Sequence, residues 1–160
     1  MDKMILIIGV INIVVLILFS LNGPSSLNTY EVLESARLAR DDYSYKKQRV
    51  LLSQVLKERS KVLGSEHPGI AKLYSRMAHS FLNSNNLEPS SEDVLDNFDK
   101  AEEFADKAIV IARKQAEQNN WQLGLYVAQK GNIILERAVR NAKNVPDRAI
   151  MLLEQGLGIL

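Results

Sequence analysis

The segment Leu56-Lys57-Glu58-Arg59-Ser60-Lys61-Val62-Leu63-Gly64-Ser65-Glu66-His67-Pro68 decides how this 160-residue chain is read. It closes one amphipathic helix, turns, and opens another. Gly64 suits the left-handed conformation that ends many helices. Pro68 suits the first helical turn, where the N–H it lacks would have no intrahelical partner. The spacing of apolar residues on either side predicts helices from about Tyr45 to Leu63 and from Pro68 to Asn83.

Working outward, helical periodicity broken by turns continues from Thr29 to the last residue, with no strand-like alternation and no hairpin dipeptide. The expected fold class is all-α, with six helices. The first runs from about Thr29 to Asp42, with Val32, Ala36 and Ala39 on one face and Asn28 or Thr29 as its N-cap. The fourth runs from about Asn97 to Gln118, after a polar loop Ser84 to Asp96. The last two lie within Trp121 to Leu160, separated by a turn at Asn144-Val145-Pro146-Asp147. With 46% hydrophobic residues and this length, the chain can bury one modest core, which argues for one helical domain over residues 29–160.

In the third helix Tyr74, Met77, Ala78 and Phe81 fall at spacings of three, one and three, and in the fourth Phe98, Ala101, Ala105 and Ala108 set an aromatic before three small residues. Together with the Gly64 to Pro68 junction, this pattern resembles the tetratricopeptide repeat in its kinesin-light-chain form. The resemblance implies about three helical hairpins stacked as a right-handed solenoid. The loop from Ser84 is about 11 residues longer than the turn of such repeats, an insertion that costs little because doubling a surface loop costs only about 0.6 kcal/mol. The position for a small residue recurs at Gln48, Ala101 and Ala149, consistent with a unit of about 42 residues lengthened by insertions. The third unit is the most divergent, with Lys130 where the pattern has Leu.

In such repeats the first helix of each pair lines a concave groove that receives an extended segment or a partner helix. Carried over position by position, this puts Lys72, Ser75, Arg76 and His79 of the third helix on the groove, with Leu33, Arg37 and Arg40 of the first and Leu125, Ala128 and Asn132 of the fifth. The groove is then basic and suits an acidic peptide or a terminal carboxylate through charge-assisted hydrogen bonds. The alternative is an ordinary solvated face. Leu33 and Arg37 replace the Lys and Asn that complete a chaperone-binding clamp, so chaperone binding is not implied. The final helix, Met151 to Leu160, is apolar, and reads either as an exposed binding face or as a segment folded back on its neighbour.

Residues 4–21 form an almost unbroken apolar run, with Met4, Ile8, Asn12, Leu16 and Leu21 along it. About 18 residues at 1.5 Å per residue nearly cross a ~30 Å hydrocarbon layer. The expectation is an N-terminal transmembrane anchor over 1–21, a linker over 22–28 that Gly23 and Pro24 break from helix, and a single-pass membrane protein. A cleaved secretory signal is the competing reading. Lys3 before the span favours the helical domain on the outer, periplasmic-type side.

Formal net charge is only +1, so nucleic acid is not an expected partner. Charge is uneven along the chain, with eight Lys/Arg against five Asp/Glu in 31–64 and six against ten in 65–117. There is no cysteine, which excludes disulfides, thiol nucleophiles and thiolate zinc sites. The two histidines, His67 and His79, lack a carboxylate set at ligand spacing, and His67 reads as a turn residue. Asp41-Asp42 and Glu102-Glu103 point about 100° apart on a helix and cannot share a proton. No phosphate loop or nucleophile elbow occurs. The chain is therefore expected to be no enzyme and to need no cofactor or metal. It is expected to be a membrane-anchored adaptor that binds protein or peptide or, alternatively, a structural subunit or assembly factor of a larger membrane complex. Trp121 is expected to pack where the third hairpin meets the second.

Overall fold

A computed structural model describes residues 25–85, 91–115, 120–141, 144 and 146–159, the side chains of 25–28, 91–93, 120 and 159 excepted. Among these residues every regular element is a helix: α1 (Ser25–Asp41), α2 (Tyr45–Leu63), α3 (Pro68–Ser84), α4 (Ser91–Arg113), α5 (Asn120–Arg140) and α6 (Asp147–Ile159). The fold is all-α. Helices pack on their neighbours in sequence, most extensively within the pairs α3–α4 and α5–α6.

The junction between α2 and α3 forms a turn where expected, but Gly64, at φ 82° and ψ 156°, is not in the left-handed helical conformation expected of it. His67 caps α3, its Nδ1 accepting from the Gly69 N–H at 3.0 Å, and Pro68 occupies the first turn. Three boundaries differ by several residues. Ser25 to Asn28, expected in a linker, belong to α1; a proline disrupts a helix that precedes it but suits the start of one that follows. Ser91 to Asp96, expected in a loop, belong to α4. Val94 is buried one turn before Phe98 and extends the same apolar stripe, so the helix starts earlier. At its other end α4 stops at Arg113, where Gln115 N–H donates to the Ala112 carbonyl and closes a tight turn.

Two clusters make the core. One gathers Leu52 and Val55 of α2, Ile70, Leu73 and Met77 of α3, Ile109 and Ala112 of α4 and Val127 of α5. The other gathers Ala78 and Leu82 of α3, Phe98, Ala101 and Ala105 of α4 and Ile133 of α5. Phe81 and Phe104 touch both clusters. Their rings stack at 5.6 Å, and Phe104 also stacks on Tyr74 at 5.9 Å. Each fully buried large apolar side chain contributes about 1.5–3 kcal/mol. Close approach depends on small residues. Ala78, Ala101 and Ala105 are fully buried between α3 and α4, and Ala149, Gly131 and Gly156 hold α5 against α6. A Cβ on Gly156 would stand 2.7 Å from the Ala128 amide nitrogen and 2.7 Å from the Gly124 carbonyl oxygen.

Lys130 is buried, where an apolar residue was expected, and is compensated. It pairs with Asp106 and lies 3.7 Å from Glu102, while Arg137 and Arg148 reach Glu102 at 3.9 and 3.5 Å. This network ties α4 to α5 and α6. Helix α6 turns Ala149, Leu152 and Gly156 inward and leaves Ile150, Met151 and Leu157 exposed, so one face folds back and the other stays open.

The expected single-pass membrane localisation is corrected. Among the described residues no helix is long and apolar enough to cross a membrane. Even α4, at 23 residues, carries charged side chains along most of its length, and Asp, Lys or Arg costs about 2.5–3.5 kcal/mol at a bilayer centre. The span read over 4–21, with Met4, Ile8, Asn12, Leu16 and Leu21, lies outside the described residues.

Candidate functional site

The first helix of each pair contributes to one face. A cavity of about 430 Å³ is lined by Tyr30, Leu33, Glu34, Ala36, Arg37 and Arg40 of α1, Gln48 and Leu52 of α2, Ser75, Arg76 and His79 of α3 and Gln129 of α5. A second, of about 360 Å³, adjoins it through Ser75, Arg76, His79 and Gln129 and adds Lys72, Trp121, Gln122, Leu125 and Tyr126. The shared residues make the two cavities one groove, with α3 down its middle.

Helix periodicity explains the lining. Lys72, Ser75, Arg76 and His79 recur at spacings of three, one and three and so fall on one face of α3, roughly opposite the buried Ile70, Leu73 and Met77. Ser75 and Gln129 tie that face to α5 by a reciprocal pair. Ser75 Oγ donates to Gln129 Oε1 at 2.7 Å, and Gln129 Nε2 donates to the Ser75 carbonyl at 3.0 Å.

Charge in the groove is partly cancelled. Arg37 donates to Glu34 at 2.7 Å and to Asp41 at 2.8 Å, and Arg40 donates to Asp41 at 3.0 Å. The hydrogen bond to Arg37 lowers the Glu34 pKa, and the same bond raises that of Arg37. Lys72 and Arg76 have no ion-pair partner among the described residues. His79 lines the first cavity together with Arg40 of α1. Its pKa is lowered, first because the surrounding helices strip water from the ring, then because Arg40 opposes a second positive charge; Glu136 pulls the other way.

Six of the residues read from sequence therefore meet in the groove: Arg37, Arg40, Lys72, Ser75, Arg76 and His79, joined by Leu33 and Leu125. Asn132 lines neither cavity and donates to Glu136 on its own helix at 2.9 Å. Ala128 faces α6, against Gly156. Trp121, expected between hairpins, is 53% exposed and forms one wall of the second cavity. Gln48, Tyr30 and Gln129 were missed. Gln48 stands where the repeat pattern calls for a small residue, and that mismatch was the available signal. Among the described residues no group of three or more histidine and carboxylate side chains gathers at metal-binding spacing.

Comparison with protein-family models, with curated proteins and with solved structures finds no match to this chain.

Proposed function

We propose that the six helices are three tetratricopeptide-like hairpins, stacked as a right-handed solenoid, and that the chain is an adaptor. It binds an extended, acidic segment of another protein along the face that α1, α3 and α5 share. The observation that carries this reading is the pair of adjoining cavities with Arg76 in both. Three arginines against one glutamate line the first, and Lys72 and Arg76 line the second without a carboxylate. Unpaired cations beside exposed Trp121 and Leu125 offer both charge-assisted hydrogen bonds and apolar contact, the combination that recognises short peptides.

The test is affinity capture with the full-length chain as bait, in parallel with Lys72→Glu/Arg76→Glu. Both residues are exposed, so the double variant keeps its helicity by circular dichroism. The expected result is loss of the proteins that the wild-type bait captures. An unchanged captured set removes the groove from the function.

A further inference from the structure

Away from the groove the molecule presents a second face, and it is divided by charge. On α3, Phe81 falls roughly opposite Lys72, Arg76 and His79 by helical spacing. It lines a cavity of about 660 Å³ together with Lys46, Arg49 and Val50 of α2 and Asp96 and Lys100 of α4. The Arg49 guanidinium lies 4.5 Å and the Lys100 ammonium 5.8 Å from the centre of the same Phe81 ring, so α2 and α4 flank one residue of α3.

These two helices carry opposite charge. By sequence, α2 has six Lys/Arg against one Glu, and α4 has seven Asp/Glu against three Lys/Arg. Lys46, Val50 and Lys57 recur at spacings of four and seven and form one exposed stripe of α2. Leu95, Asp99, Glu103 and Val110, at four, four and seven, form one of α4. Lys46 and Lys57 have no ion-pair partner among the described residues. Asp96, Asp99 and Glu103 pair with cations of their own chain, yet their side chains remain 57%, 62% and 58% exposed.

A uniformly anionic partner, whether membrane or nucleic acid, is attracted to α2 and repelled by the adjoining α4. A second copy, turned by a two-fold axis along the boundary between the stripes, sets each α2 on the other's α4, and the patch becomes self-complementary. We propose that this face is an isologous interface through which two copies of the chain associate, α2 against α4 in both directions. The proposal does not rest on the groove reading. Because the groove residues of α3 lie on its opposite face, such a dimer leaves both grooves open.

The experiment co-expresses full-length chains bearing two different affinity tags, captures one tag in mild detergent and reads the other by immunoblot. Wild type is expected to capture wild type. Lys46→Glu/Lys57→Glu is expected to lose self-capture, since an acidic stripe then meets an acidic one, and Asp96→Lys/Glu103→Lys to lose it for the reverse reason. All four side chains are exposed, so both variants keep wild-type helicity. Co-expressing the two variants is expected to restore capture, because one α2–α4 contact has both signs exchanged and the other is native. Absence of wild-type self-capture overturns the proposal and leaves the α2 charge to a partner of another kind. Capture indifferent to either double variant, or a mixture that fails to restore it, overturns it as well. Lys72→Glu/Arg76→Glu is expected to leave self-capture unchanged; loss there moves the contact to the groove and defeats the assignment.

Discussion

Gly64 sits at φ 82° and ψ 156°, a region that side-chain-bearing residues scarcely enter. The sequence suggested a left-handed cap there. The φ is positive as that requires, but ψ is extended, so the chain leaves α2 in a glycine-only conformation. Nothing lies within 4 Å of a Cβ built at Gly64, so Gly64→Ala meets strain and no clash. It is expected to destabilise by about 1–3 kcal/mol, seen as a lower denaturation midpoint with unchanged slope; a midpoint equal to wild type refutes the strain. Tyr43 shows what composition hides. At φ 57° it ends α1 as glycine commonly does, with Ser44 N–H donating to the Ala39 carbonyl and Tyr43 N–H to the Arg40 carbonyl. No glycine marks that turn.

Helix pairs differ in how closely they approach, and the difference lies in single small residues. In α5–α6 the backbones meet at Gly131 and Gly156, whose added Cβ atoms would press on main-chain atoms rather than on flexible side-chain ends. Gly156→Ala is therefore expected to cost about 1–3 kcal/mol, although alanine is the better helix former. Gly158→Ala, on the same helix with open space around it, is expected to be neutral or mildly stabilising. Thermal melting of the two variants checks this, and equal shifts contradict the contact. The α1–α2 pair carries Gln48 instead, and it is beside this residue that the first cavity opens.

At the scale of the molecule, His79 reports whether α1, α3 and α5 stand together, since its pKa responds to burial among them, to Arg40 and to Glu136. A base whose folded-state pKa lies below its unfolded value, about 6.5, binds fewer protons when folded. Stability then rises with pH between the two values and is lost as pH falls from the unfolded value towards the folded one. Wild-type melting temperature is expected to fall more than that of His79→Gln between about pH 7.5 and about pH 5.5. Identical falls mean that the ring is not held in that environment.

Helix type was legible in the chain because apolar residues recur with helical period and because Gly64, His67 and Pro68 punctuate it; these are local signals. The basic residues of the α3 face were legible for the same reason, since a face follows from spacing alone. What needed the tertiary structure was every property set by a neighbour distant in sequence. Lys130 is compensated from α4, and Trp121 opens onto α3. Gln48 is the sharpest case. In sequence it is a glutamine in place of a small residue; only the packing around it buries it and leaves its Oε1 without a partner, because hydrogen-bond satisfaction depends on what surrounds a group.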